Sequence, residues 1–248
     1  MNLLLNQILS TMLLFSLMWG QIPSDLLDTL NDEKGWEPIN YLDDGTRFES
    51  KVILGKDLSA VKVSRITDIS PDFIQDVIMD LDRYGEFLSN ANTLNSAILR
   101  LTDEYVDGYQ HIQVAMPFFS DRRYCFRMKS YDWLQDSSNI LVEWYLLDKN
   151  DYYVSFLSEN DPQAIYLDYG AGSWSAKVLG KKKFEISYRL YMDPGGSMPD
   201  FLIQRINAIS IINLFQDALA EARRRMNAKT QPKLNIQKNS NHLKSYRF

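Results

Sequence analysis

A strand, a tight turn and a long apolar helix follow one another between residues 183 and 226, and this order constrains the fold more than any other feature. Residues 183–192 (KFEISYRLYM) alternate polar and apolar side chains, as an antiparallel strand with one buried face does. The turn Asp193-Pro194-Gly195-Gly196 ends the strand, and Pro199 suits the first turn of a helix. We therefore predict a helix over about 199–226 that swings back across the sheet.

The predicted helix is apolar over much of its circumference. Its apolar residues include Ile206, Ile209 and Phe215, and they occupy more sides than a helix facing a single sheet needs. We therefore expect this helix to be buried on more than one side. One side faces the sheet, and the other faces loops, a partner or an apolar ligand.

The remaining patterns predict strands with segregated helices. In chain order they are a helix at 24–31, strands at 36–42 and 47–54 around the turn at 43–45, a strand at 60–67, a helix that starts at Ser70, and strands from Leu94 to Met192. Such an order predicts an α+β fold with an antiparallel sheet. The 248 residues, of which 45% are hydrophobic, suffice for one large domain or two small ones.

The residue types argue against the common catalytic and metal sites. The chain has two histidines, His111 and His242, and a single cysteine, Cys125. An intramolecular disulfide needs two cysteines, and a metal site of Cys and His ligands needs more of these residues than the chain has. His111 lies on the strand face opposite Ile112 and is expected to be exposed. No glycine-rich phosphate loop precedes a helix. We predict no cofactor, no metal and no catalytic residue.

A strand that begins at Arg122 places a charge on an apolar face. Tyr124, Phe126 and Met128 share the parity of Arg122, whereas Arg123 points the other way, so that Arg123→Leu is expected to do little. An arginine on an apolar face is costly unless it is paired. It either forms an ion pair with an acid on a neighbouring strand or acts as a polar anchor in a cavity, and both can hold.

The two ends of the chain differ from the rest. Residues 1–20 carry no charge and predict a signal peptide cleaved near Gly20, with export to the periplasm or the outside. A membrane anchor is the alternative. Residues 222–248 carry +8 against −13 for the remainder. The tail, 227–248, is predicted to be solvated and disordered, with transient contact to anionic membrane as an alternative role and no nucleic-acid binding.

Three stretches resemble one known family. Residues 70–84 (SPDFIQDVIMDLDRY), 116–126 (MPFFSDRRYCF) and 172–203 (GSWSAKVLGKKKFEISYRLYMDPGGSMPDFLI) are similar to patterns of the START, or StAR-related lipid transfer, domain. The resemblance covers roughly 36–226, and DPGGSMP with its following helix is its strongest element. Arg123 stands where the family usually has Asp, which removes any ion pair made by that Asp.

The resemblance implies a helix-grip fold, in which a curved antiparallel sheet wraps the C-terminal helix around an apolar cavity for one lipid or sterol. It implies a lipid-binding domain over 21–226 that carries its ligand without catalysis. The alternatives are a cyclase- or hydrolase-type enzyme on the same fold and a protein-interaction factor with a filled core. The predicted ligand-binding residues are Arg122, Tyr124, Phe126, Met128, Trp174, Tyr188, Ile206, Ile209 and Phe215, and the predicted lid hinge is Asp193, Gly195, Gly196 and Pro199.

Overall fold

The computed structural model describes residues 24–114, 119–135, 139–149, 163–196 and 200–230, without the side chains of residues 24, 200–207 and 230. The predicted signal peptide, Pro199 and residues 231–248 of the predicted tail therefore lie outside the described residues, as does the side chain of Ile206.

Four helices and ten strands make up the described chain, together with one 3₁₀ turn at Leu81–Arg83. The helices are α1 (Ser24–Asn31), α2 (Pro71–Met79), α3 (Tyr84–Phe87) and α4 (Asp200–Thr230). The strands are β1 (Glu37–Tyr41), β2 (Arg47–Val52), β3 (Ser59–Thr67), β4 (Leu94–Leu101), β5 (Val106–Ile112), β6 (Arg122–Ser130), β7 (Ile140–Leu146), β8 (Ile165–Tyr166), β9 (Gly170–Gly180) and β10 (Lys183–Met192). The predicted α+β class and its antiparallel sheet are confirmed.

All ten strands belong to one sheet, and nine of them follow the order β1-β2-β3-β10-β9-β7-β6-β5-β4 with antiparallel neighbours. The short strand β8 pairs with β6 in parallel. Paired residues on neighbouring strands share a face of the sheet, so register places Val63, Tyr188, Trp174 and Val142 side by side. We call this face, which α4 covers, the inner face.

The main core lies between the inner face and the helices α2 and α4. In α2, Ile74, Val77 and Ile78 are buried along one stripe. Among the described side chains of α4, the buried apolar ones are Ile211, Phe215, Ala218, Leu219 and Ala222. Their spacing is that of one helical stripe, so the C-terminal half of α4 faces the sheet on one side only.

We expected α4 to be buried on several sides. Its described side chains are buried on one side only. Ile209 is 51% exposed. It precedes the buried Ile211 by two residues, which turns it about 160° away from that residue on a helix of 3.6 residues per turn. Ile209 therefore lies on the side of α4 away from the sheet, and its predicted contact with a ligand stays a prediction.

The outer face of the sheet is also covered, which the strand patterns did not predict. Leu26 and Leu30 of α1 form a second apolar cluster with Ala60 and Ala171 of the outer face. Ser187 and Arg189, the polar residues of the alternating β10 pattern, are buried as a result. The strand is half-buried only at its start, because α1 and the segment after it shield its second half.

Both faces of β6 are covered at its beginning. Arg122, Tyr124, Phe126 and Met128 are buried on the inner face, as their common parity predicted. Arg123 and Cys125 on the opposite face are buried too, since Leu147 and Tyr166 pack over Cys125. Arg123 is therefore not the exposed residue that the sequence pattern indicated, and Arg123→Leu cannot serve as a neutral control.

Among the helices that the structure describes, none combines the length and the apolar character that crossing a bilayer requires.

Glu221 fastens the end of α4 through a buried charged group. Arg224 Nε and Arg225 Nε donate to its carboxylate at 2.6 and 2.8 Å, and Arg225 Nη2 reaches Asp80 at 2.8 Å. The hydrogen bonds from Arg224 outweigh burial and, with those from Arg225, lower the pKa of Glu221 to about 2. Arg225 thus ties α4 to Asp80 at the end of α2, and the ionised carboxylate of Glu221 holds Arg225 in position.

We expect an acid-dependent loss of stability that Glu221→Gln reduces. The pKa of Glu221 is lower in the folded chain than its ordinary value of 4.5, so ionisation stabilises the fold above that pH. This contribution is lost as pH falls toward 2. Urea denaturation at several pH values should show a shallower loss for Glu221→Gln than for the native chain. Glu104→Gln, in an exposed turn, is the control. Equal slopes for both variants would contradict the assignment.

Candidate functional site

Arg122 joins the sheet to the turn that precedes α4. Arg122 is only 5% exposed to solvent. Its Nε donates to the carbonyl of Pro194 at 3.1 Å, its Nη2 donates to that of Gly195 at 3.3 Å, and its Nη1 donates to that of Ser120. Burial lowers the pKa of Arg122, against the opposing influence of Asp121. The guanidinium is therefore a polar anchor on backbone carbonyls.

The alternative ion pair is not formed within the described part of the chain, where no carboxylate lies within salt-bridge distance of Arg122. A guanidinium has five N–H donors in a rigid fork. Several backbone carbonyls can therefore accept its hydrogen bonds in place of a carboxylate. Two of the three partners of Arg122 thus lie in the predicted hinge, which follows β7, β8, β9 and β10 in the chain.

The predicted hinge is a glycine turn with little free space. Gly195 and Gly196 have φ values of +59° and +70°, which L-residues rarely adopt. A Cβ on Gly196 would lie 2.8 Å from Ile165 Cδ1. The Gly195 N–H donates to the Asp193 carboxylate at 2.9 Å. Asp193, Gly195 and Gly196 therefore shape one turn that Arg122 and Ile165 hold in place.

Gly196→Ala should lower the free energy of unfolding by about 1–2 kcal/mol, because a left-handed backbone carries that cost for an L-residue. Contact of the new methyl group with Ile165 adds to it. Urea denaturation measures the change. Gly180→Ala is the matched control, since no atom lies within 4 Å of its added Cβ. An unchanged midpoint for Gly196→Ala would show that the turn is not held as described.

Strand register places three apolar residues in a row with Arg122. Ile112 of β5 and Ile165 of β8 pair with Arg122, and Leu94 of β4 pairs with Ile112. We call Leu94, Ile112, Arg122 and Ile165 the hinge-end row. All three apolar members are only partly buried while they pack against the main core. The inner face is therefore apolar but incompletely covered beside the turn into α4.

The other end of the inner face is fully packed. The Trp174 ring stacks on Tyr188 with ring centroids 4.4 Å apart and on Phe215 of α4 with centroids 5.6 Å apart. We call these three rings the Trp174 sandwich. Register places Trp174 level with Ser130, the last residue of β6, whereas Arg122 is the first. The two ends are about 26 Å apart at the usual rise of a strand.

Aromatic side chains of β6 connect the two ends. Tyr124 and Phe126 have ring centroids 5.9 Å apart, and Phe126 lies 6.4 Å from the ring of Trp144. Met128 follows in the same buried core. Burial confirms the inward orientation predicted for these β6 residues, for Trp174 and Tyr188, and for Phe215. Their predicted contact with a ligand stays a prediction.

Apart from Arg122, the polar groups described in this interior include tyrosine hydroxyls and the amide of Gln110. Tyr124 donates its hydroxyl to Gln110, and Tyr84 donates to the Ile78 carbonyl at 2.6 Å. Burial raises the pKa of Tyr84, Tyr124 and Tyr188, so all three are protonated at neutral pH. These three tyrosines can accept or donate hydrogen bonds at fixed points, and none of them titrates near neutral pH.

Sequence reasoning missed Gln110 and Trp144 of this interior. Gln110 has the parity of Ile112 in β5, so period-2 alternation could have placed it on the inner face. His111, on the opposite face, lies 3.2 Å from the Asp121 carboxylate and is partly buried instead of exposed. Within the described residues, no group of His, Cys, Asp and Glu side chains is placed to hold a metal ion.

Comparison with known proteins gives a match at the level of structure. No protein-family model and no curated protein sequence matches this chain. Human STARD10 superposes with a TM-score of 0.64 and 16% identity, covering 83% of this chain and 80% of its own. A STAR-related lipid transfer protein fragment from Xanthomonas axonopodis gives 0.62 and 14%, covering 77% and 99%.

Human StAR-related lipid transfer protein 5 is similar as well, with a TM-score of 0.60 and 12% identity over 82% of this chain and 94% of that structure. These likenesses establish that the chain has a START-like helix-grip fold: a curved antiparallel sheet with the C-terminal helix α4 across its inner face. The predicted fold is confirmed.

Proposed function

We propose that this protein binds one lipid or sterol-like molecule between the sheet and the N-terminal half of α4, and that it carries this ligand without catalysing a reaction. The observation that carries the proposal is the hinge-end row, where apolar side chains remain partly exposed on the inner face of a START-like fold. An apolar ligand that covered them would gain about 25 cal/mol for each Å² removed from water.

The gradient of packing along the inner face supports a ligand at one end. The Trp174 sandwich fills the space between sheet and helix near the end of β6. Apolar side chains beside the turn into α4 are covered less completely. A ligand tail beside the hinge-end row and a polar end near Tyr124 and Gln110 would match these surroundings.

Binding without catalysis agrees with the groups that face the interior. A cyclase or hydrolase needs an acid or base that titrates near neutral pH, and the described inward residues offer tyrosines of raised pKa. A protein-interaction factor with a filled interior is the competing interpretation, because the Trp174 sandwich shows that part of the interior is solid. The two differ in whether the hinge end admits a ligand.

Binding of a fluorescent sterol and a fluorescent phospholipid to the full chain tests this function. We expect saturable 1:1 binding that Ile112→Gln weakens about tenfold or more, since a buried unpaired amide opposes an apolar ligand. Leu101→Gln, on the exposed end of neighbouring β4, should bind like the native chain. Absence of binding to both probes, or equal affinities for the two variants, would favour the filled interior.

The site of action is proposed from the chain ends. We propose that residues 1–20 direct export and that the basic segment 227–248 assists docking on anionic membranes. N-terminal sequencing of the protein from its native cell should then begin near Gln21. Deleting 228–248 should leave thermal stability unchanged and weaken binding to anionic liposomes at low salt. A cytosolic protein that retains Met1 would contradict export. Equal liposome binding with and without residues 228–248 would contradict membrane docking by the basic segment.

A further inference from the structure

A polar cavity of about 690 Å³ lies on the outer face of the sheet, between α1 and strands β10, β9 and β7. No member of the hinge-end row or of the Trp174 sandwich lines it, so it is separate from the proposed lipid site. All of its lining residues except Ile140 carry charged, hydroxyl or amide side chains. A cavity of this character suits a small polar molecule and excludes a lipid tail.

Strand register concentrates charge beside this cavity, which Lys62, Arg189 and Glu143 of one row across the sheet line. Five outer-face residues stand side by side across five neighbouring strands: Glu49, Lys62, Arg189, Ser173 and Glu143. All but Glu143 are buried, so the two cations at the centre of the row have lost most of their hydration. Buried cations of this kind need an anionic or hydrogen-bonding partner.

Arg189 has an unused hydrogen-bond donor in the cavity lining. Its side chain is only 3% exposed. Its Nη1 donates to Ser175 Oγ at 2.7 Å and its Nη2 donates to Glu33, whereas its buried Nε has no partner. An arginine fork binds planar or tetrahedral oxyanions with two parallel N–H groups. The Nε–H of Arg189 can therefore donate a further hydrogen bond to an oxyanion.

Glu33 already shows where an anion sits. Its carboxylate contacts Arg189 and lies 3.0 Å from Lys62 Nζ, so a single carboxylate bridges two buried cations. Yet the Glu33 side chain is 67% exposed, and it belongs to the segment just after α1. An exposed carboxylate gains little from such a pair, because water and salt compete for it. An external anion can take its place on the cations.

We propose that this outer-face cavity binds a small hydroxylated anion, of the sugar phosphate or sugar acid class, whose anionic group displaces Glu33 from Arg189 and Lys62. The rest of the lining fits the body of such a ligand, since Ser187, Asn139 and Tyr131 present hydroxyl and amide groups. The acids in the lining would repel a polyanion, so a nucleic-acid strand is excluded.

Isothermal titration of the full chain with glucose 6-phosphate, glucuronate and glucose tests the proposal. We expect saturable binding of at least one of the two anions and much weaker binding of uncharged glucose. Arg189→Met should weaken anion binding about tenfold or more, as loss of a charge-assisted contact does. Glu33→Gln should tighten it about threefold or more, because an internal competitor is removed.

Lys34→Met, the exposed neighbour of Glu33, is the control and should bind like the native chain. Failure of both anions to bind at millimolar concentration would overturn the proposal. The proposal would also be overturned if Glu33→Gln changed the affinity for the anions no more than Lys34→Met does. If Arg189→Met does not fold, the gain in affinity from the surface substitution Glu33→Gln decides the matter. Neither outcome depends on lipid binding, since the two sites share no residue.

Discussion

Phe215→Ala should lower the free energy of unfolding by about 3–5 kcal/mol, the range for removing a buried phenylalanine. Phe215 is fully buried and stacks on Trp174 with ring planes 12° apart, so the substitution opens a cavity between α4 and the sheet. It also removes the stacking contact between the C-terminal half of α4 and Trp174 of the sheet. Urea denaturation followed by far-UV circular dichroism measures the loss.

Ile209→Ala is the matched control for that experiment, on the same helix and also losing apolar atoms. Because Ile209 is largely exposed, its substitution should change stability by less than about 0.5 kcal/mol. Similar losses for the two variants would mean that α4 is rotated relative to the sheet. A small loss for Phe215→Ala would mean that this end of the interior is not solid.

Arg122→Leu should lower the free energy of unfolding by about 2–4 kcal/mol, because carbonyls of Pro194, Gly195 and Ser120 lose hydrogen bonds to a charged donor. The turn into α4 would lose its tie to β6. We therefore expect a bound fluorescent lipid to dissociate faster, beyond what the loss of stability alone produces. Stopped-flow release to excess vesicles measures this rate.

Lys129→Leu removes an exposed cation from the same strand and should leave both stability and release rate near native values. A buried charge can also be a burden, and replacing it by an apolar group is then neutral or stabilising. Unchanged or increased stability of Arg122→Leu would show that this burden outweighs the three hydrogen bonds. An unchanged rate of lipid release from Arg122→Leu would show that Arg122 does not help to retain the ligand.

The sequence predicted those features that depend on local periodicity. Alternation along β10 and β6 assigned Tyr188 and Tyr124 to the inner face, and Pro-Gly chemistry located the turn before α4. Period 2 and turn stereochemistry are properties of a few consecutive residues. For the same reason the order of helices and strands sufficed to predict an α+β fold.

The features that were not predicted depend on contacts between distant segments. Arg189 was placed on a polar, solvent-facing side of β10, but α1 and Glu33, more than 150 residues earlier, cover it. A polar residue buried by a distant partner has the same local pattern as an exposed one. Arg123 was misplaced for this reason, and the partners of Arg122 are backbone carbonyls, which no side-chain pattern specifies.

Ile209 illustrates a different limit. The composition of α4 indicated apolar residues on many sides, but composition does not say which of them reach the sheet. The phase of the helix is set by Phe215, which stacks on Trp174, and by Ile211, which is buried in the same core. An apolar residue out of that phase faces water in the structure.

Photo-crosslinking locates the ligand directly. The full chain is loaded with a phospholipid that carries a diazirine on its acyl chain, irradiated, digested and mapped by mass spectrometry. Our account predicts labels on the peptides that contain Leu94, Ile112 and Ile165, and on the segment of α4 that includes Ile212, with few labels on the outer face. Labels confined to the outer face or to exposed residues such as Leu101, or no specific labelling at all, would contradict the claim that the hinge end of the inner face holds the lipid.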